Sequence, residues 1–123
     1  MFTVAVDRTE DVVVLQCRGR IVRGDATFSL RDAVTSQRGA RIVVLDLSDL
    51  QMIDGGGLGM LVFLYRWSCD NGIQLKLVNP SPLVRELLER THLAGVLDVS
   101  TMDEALMILR SPDYYHRECA IAS

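Results

Sequence analysis

The spacing of apolar and polar residues divides the chain into short, clearly different segments. Phe2-Thr3-Val4-Ala5-Val6 alternates and predicts an edge strand. After a polar turn over Asp7–Asp11, Val12-Val13-Val14-Leu15-Gln16-Cys17-Arg18 is rich in β-branched residues and predicts a second strand, paired with the first as a hairpin. Gly19 is expected to break it, with Ile21-Val22 as a short extension. Asp25 is the expected N-cap of a helix from Ala26 to about Gln37, with Ala26, Leu30, Ala33 and Val34 on its core face. Arg41 to Leu47 is apolar without alternation until Asp46, the pattern of a central parallel strand buried on both faces.

Ser48-Asp49-Leu50-Gln51-Met52-Ile53 then reads as a polar bend leading to Asp54 and the run Gly55-Gly56-Gly57. From Leu58 to about Cys69 the pattern is helical and apolar on nearly every side. Met60, Leu61, Phe63, Leu64 and Tyr65 cannot all face one sheet at 3.6 residues per turn, so neighbouring helices cover the remainder or part of this helix is a docking surface. Ile73 to Val78 predicts a strand and Pro82 to Thr91 a helix with Leu83, Val84, Leu87 and Leu88 inward. Val96 to Val99 predicts a last short strand. Thr101 and Glu104 form a capping-box pattern for a final helix. The order is ββαβαβαβα, which indicates an α/β fold: one mixed, mainly parallel sheet packed with about four helices. The domain is expected to span residues 1–110, with a tail over 111–123.

Composition narrows the function. With 123 residues, 49% of them hydrophobic, and a net charge of −3, the chain has the makeup of one globular domain. It carries no basic stripe, which argues against nucleic acid. No apolar run approaches the roughly 20 residues of a membrane span. Met1-Phe2-Thr3-Val4 has neither a basic n-region nor a cleavage pattern, so no signal peptide is expected and the location is expected to be cytoplasmic. Cys17, Cys69 and Cys119 show no CxxC spacing and read as reduced thiols. His92 and His116 have no ligand partners nearby in sequence, so no metal is expected.

The glycine run fails both nucleotide signatures. No Lys-Ser or Lys-Thr pair follows it, and a GxGxxG frame would require glycine at Met60 or Val62. A helix start with free N–H groups remains, which any anion can visit. There is no G-x-S-x-G elbow. Asp46, Asp49 and Asp54 are read as a strand end, a bend and a helix cap rather than an acid/base or metal cluster. These residues give no ground for an enzyme or a cofactor, and the reading stops at a binding module.

Leu45-Asp46-Leu47-Ser48-Asp49-Leu50-Gln51-Met52-Ile53-Asp54-Gly55-Gly56-Gly57-Leu58-Gly59 resembles the signature of STAS domains, the bacterial anti-sigma factor antagonists. Their pattern is an apolar strand, D/N-L-S, an apolar pair and D-S-S-G-L-G. A second block agrees: Asn79-Pro80-Ser81-Pro82-Leu83-Val84-Arg85-Glu86-Leu87-Leu88-Glu89, then His92-Leu93, Val96-Leu97 and Asp103-Glu104-Ala105-Leu106. The resemblance implies a non-catalytic domain that docks a kinase-type (GHKL) anti-sigma factor and is released when the kinase phosphorylates the first Ser of D-S-S-G. That phosphate adds about −1.5 to −2 charges at the docking surface.

On this chain Asp54 matches the family Asp, and Gly57, Leu58 and Gly59 match G-L-G. The phosphorylated Ser falls on Gly55 and its neighbour on Gly56, so this position has no hydroxyl. After Gly19 the family often has an apolar residue followed by Asp, whereas here Ile21 is followed by Val22 and Arg23. The expected partner face is Val22, Arg23, Met52, Asp54, Gly55, Gly56, Gly57 and Met60. The expected state is a monomer or weak homodimer. Two other classes remain open: a small-molecule or anion-sensing module, and a scaffold subunit of a larger assembly.

Overall fold

The computed structural model describes residues 1–95, 97, 99 and 100. Two strands, β1 (Phe2–Thr9) and β2 (Val12–Ile21), form an antiparallel hairpin. They are followed by α1 (Asp25–Thr35), β3 (Ile42–Ile53), α2 (Gly55–Asp70), β4 (Gln74–Val78), α3 (Pro82–Arg90) and β5 (Val99–Ser100). The five strands lie in sequence order, β1-β2-β3-β4-β5, and all neighbours after the hairpin are parallel. The mixed, mainly parallel α/β architecture is as predicted. Three helices are described, and the predicted fourth, like the tail, lies outside the described residues.

One face of the sheet carries the core. Val13, Leu15 and Cys17 of β2, Val43, Leu45 and Leu47 of β3, and Leu75 and Leu77 of β4 alternate onto it. Leu30 and Val34 of α1, Leu61 and Leu64 of α2, and Val84 and Leu88 of α3 close over them in one cluster. Burying a leucine of this kind contributes roughly 1.5–3 kcal/mol. On the alternate positions, Ile42, Val44, Val78 and Lys76 are also buried, so β3 is covered on both faces as its unbroken apolar run requires.

Several expectations need correction. Gly19 does not end β2. It sits at φ 95° beside the Met1 carbonyl, where a Cβ would clash, and the ladder to β3 shifts register on either side of it. Ile21 therefore belongs to β2 itself. The segment Ser48–Ile53 is not a bend but the second half of β3, with Leu50 and Ile53 buried and Ser48, Asp49, Gln51 and Met52 exposed. Asp25 is not a cap. Gly24 takes that position at φ 116°, with no side-chain hydrogen bond, and Asp25 is the first helical residue. Leu83, placed in the core by its spacing, is 50% exposed. The last described strand is Val99–Ser100, and residues 96 and 98 of the strand expected over Val96 to Val99 lie outside the described residues.

Cys17 is free and buried in β2, as predicted, whereas Cys69 is disulfide-bonded rather than a reduced thiol. Burial in the sheet, helped by the nearby Asp46 carboxylate, pushes the Cys17 thiol up to about 12, so it stays protonated and inert. Among the described residues, no helix is long and apolar enough to cross a membrane.

Candidate functional site at the start of helix α2

The site forms where β2 and β3 end side by side, with Ile21 paired to Ile53. The chain turns directly from β3 into α2, with Asp54 between them in extended conformation (φ −105°, ψ −175°) as the N-cap. Both carboxylate oxygens of Asp54 are engaged. Oδ1 accepts from the Gly57 N–H at 2.8 Å and Oδ2 from the Arg23 N–H at 3.0 Å. Its own N–H donates to the Ile21 carbonyl at 3.3 Å. A single carboxylate therefore caps α2 and fastens the β2–α1 loop to it. These N–H donors, the Arg23 one foremost, hold the Asp54 carboxyl below its ordinary value, with the Arg23 charge adding to the effect.

The three glycines occupy three different environments. A Cβ on Gly57 would overlap the Ile21 carbonyl oxygen and fall 2.6 Å from Ile53 Cγ1, so only glycine lets α2 sit this close to the strand ends. A Cβ on Gly56 would lie 2.9 Å from the Arg23 Cβ, a contact that the loop must yield to. At Gly55 a Cβ meets nothing within 4 Å, and the residue is exposed. Gly59, one turn on, is equally open. Gly55, Gly59 and Phe63 (49% exposed) thus make an outward stripe along α2. Leu61, Leu64 and Tyr65 are buried, which resolves how an almost wholly apolar helix is accommodated.

The structure gathers most of the sequence-predicted face. Arg23, Asp54, Gly56 and Gly57 are in direct contact, and Gly55 lies at their outer edge. Val22 stands half-buried in the loop before Arg23. Met52, 40% exposed, is the penultimate residue of β3, opposite Arg20 on the ladder. Met60 is half-buried one turn after Gly56. Gly57 is buried, so it supports the face from beneath.

The other acidic residues stand apart from Asp54. Asp46 accepts from the Ser48 N–H and hydroxyl at 3.0 and 2.7 Å, and Asp49 pairs with Arg18 at 3.4 Å. Among the described residues no group of three metal-ligating side chains occurs. Two contributors were missed from the sequence. Arg20 was hidden because Gly19 was read as a strand break, although the alternation Arg18-Gly19-Arg20-Ile21 continues through it. Ser81, whose hydroxyl donates to the Leu50 carbonyl at 2.8 Å, ties the start of α3 to the second half of β3. It had no sequence signal beyond its place before Pro82.

The family model for the STAS domain matches residues 3–105. The chain belongs to the STAS domain family. Its fold is shared with solved structures of that family at low sequence identity. An anti-sigma factor antagonist from Mycobacterium paratuberculosis is 23% identical with a TM-score of 0.74, and the match covers 90% of this chain and 96% of that one. An anti-sigma-factor antagonist (STAS) domain protein from Planctomyces limnophilus is 19% identical with a TM-score of 0.72, over 88% and 98% of the two chains. The anti-sigma factor antagonist SpoIIAA in its unphosphorylated form is 20% identical with a TM-score of 0.72, over 88% and 96%. The Bacillus protein has also been solved in the phosphorylated form, which matches this STAS chain with a TM-score of 0.66.

Proposed function

We propose that this STAS domain is a non-catalytic docking module for a kinase-type anti-sigma factor, or a related cytoplasmic signalling protein, and that phosphorylation at the standard position does not switch it off. The observation that carries the reading is the exposed, unobstructed Gly55 immediately after the Asp54 cap. The family pattern has a phosphorylated hydroxyl there. This chain keeps the surrounding frame, Asp54 and Gly57 included, and lacks the acceptor oxygen. The hydroxyls of Thr27 and Ser48, on the two neighbouring elements, are already engaged. The Thr27 hydroxyl is part-buried against the Gly24 carbonyl at 2.7 Å, and Ser48 donates to Asp46. The docking face is Val22, Arg23, Met52 and the stretch from Asp54 to Met60, with Gly57 below it.

Affinity capture from the source cells tests the reading, comparing the wild-type chain with a Met52→Glu variant. Met52 is exposed, so the variant keeps the fold and places a charge in the face. A kinase-type anti-sigma factor retained by the wild type and lost with the variant supports the proposal. If every retained protein is held equally by both chains, the proposal fails.

A further inference from the structure

Beside the glycine start of α2, the end of β2 and the following loop open into a cleft of about 280 Å³. Its polar lining is Arg20, Arg23, Asp25 and Ser29, and Phe2 and Val22 contribute apolar wall. Both arginines are exposed, and their hydrogen bonds run through the backbone: the Arg20 N–H donates to the Met1 carbonyl and the Arg23 N–H to Asp54. Among the described residues neither guanidinium has a carboxylate in ion-pair contact, in contrast to Arg18, Arg31, Arg41 and Arg90. The nearby carboxylates are already committed. Asp49 is held by Arg18 and Gln16, and Asp54 by two backbone N–H groups. The cleft lining therefore holds two cations and one carboxylate, Asp25, and the Asp54 carboxylate that feels the Arg23 charge is itself taken by backbone N–H groups.

We infer that this cleft receives carboxylate side chains of the docking partner, with Arg20 and Arg23 as the specificity-determining residues. The inference rests on the reading that this end of the domain docks a protein, and it names the chemistry of the segment that docks. A guanidinium presents a planar fork of donors that matches a carboxylate in two parallel hydrogen bonds. Phe2 and Val22 beside the cations supply contact area for the methylene stem of a glutamate, which an exposed arginine on a convex surface lacks. The Arg23 Cβ stands 2.9 Å from where a Cβ on Gly56 would be, so a carboxylate seated here lies against the first turn of α2, continuous with the Gly55–Gly59 stripe. Opposite charges across such a rim act mainly on association rate and partner choice, and salt weakens them.

The test is an NMR titration of the isotope-labelled chain with hexaglutamate, with hexalysine and inorganic phosphate in parallel. Saturable shifts of the Arg20 and Arg23 Nε–Hε and amide signals with hexaglutamate, absent with hexalysine, are expected. A chain with both Arg20→Glu and Arg23→Glu should bind hexaglutamate at least tenfold more weakly. The paired lysine variant, Arg20→Lys with Arg23→Lys, keeps the charge without the planar fork and should bind more weakly than the wild type but more tightly than the glutamate pair, which separates lost charge from lost fold. Arg38→Glu, an exposed control elsewhere, should leave it unchanged.

No shift at Arg20 and Arg23, equal shifts at Arg38, or phosphate binding the same signals as tightly as hexaglutamate would overturn the inference. Failure here is distinguishable from failure of the docking reading. A captured anti-sigma factor that the Arg20→Glu, Arg23→Glu chain still holds sinks the cleft and leaves the docking reading standing. Hexaglutamate bound in the cleft without any such captured partner does the reverse.

Discussion

Helices α1 and α2 both follow strands that end together, yet their first turns are built on opposite plans. The start of α2 is tied down: Asp54 bonds the Gly57 and Arg23 N–H groups, and the buried Gly57 lets the helix press on Ile21 and Ile53. The start of α1 has no side-chain cap at all. Its Gly24 stands in open space and is needed for its φ of 116° and ψ of −141°, a region that costs an L-residue roughly 1–3 kcal/mol. One glycine provides room and the other provides a backbone angle. Between them, Gly55 is required for neither. The comparison teaches that the glycine run is not a single motif. Gly57 is architecture, while Gly55 is a surface position where a side chain is affordable and absent.

Substitutions can break this distinction. The largest effect should come from Gly57→Ala, which forces α2 away from the strand ends and should cost about 3 kcal/mol in urea unfolding. A loss below ~1 kcal/mol would mean that the helix start is not wedged. Next in size, Asp54→Ala removes the cap and the tie to Arg23 together. Its cost should also depend on pH.

The native Asp54 carboxyl titrates below the ordinary 3.8, so its contribution is fully present above that value and fades as pH falls through the lowered native one. The thermal-midpoint gap between wild type and Asp54→Ala should therefore be constant near neutrality and close in strong acid. A gap that widens on acidification would contradict the assigned hydrogen bonds. Gly24→Ala should cost about 1–3 kcal/mol through backbone strain alone, without the displacement of α2 that NMR shifts should report for Gly57→Ala. Smallest of all, Gly55→Ser should change stability by less than about 0.5 kcal/mol, because a Cβ there meets nothing within 4 Å and the position is exposed. A larger destabilisation would show that the position is structural after all.

The legible parts of the fold were those where one physical signal dominated. Ile42 to Leu45 is an unbroken apolar run and is buried throughout. Asp54 followed by a helical pattern is a cap in the structure. The illegible parts were those where tertiary pairing overrode local pattern. Ser48–Ile53 is polar enough to read as a bend, yet it stays extended because β2 continues beside it through Gly19, pairing Arg18 with Asp49 and Ile21 with Ile53. That hidden extension carries Arg20 and Met52 to the site. The family resemblance set Asp54 and Gly55 side by side at a helix start, and the structure has Asp54 as the cap of α2 with Gly55 exposed after it. It carried no information on the cleft, which depends on where Phe2, Arg20 and the Val22–Gly24 loop meet.

The central claim is that this surface docks its partner without the standard phosphoryl switch. The most direct measurement is intact-mass spectrometry of the wild-type chain and Gly55→Ser after incubation with the captured anti-sigma kinase and Mg-ATP. The account predicts no phosphate on the wild type and one on Gly55→Ser, together with release of that variant from the kinase. A phosphate on the wild-type chain, accompanied by its release, would contradict it.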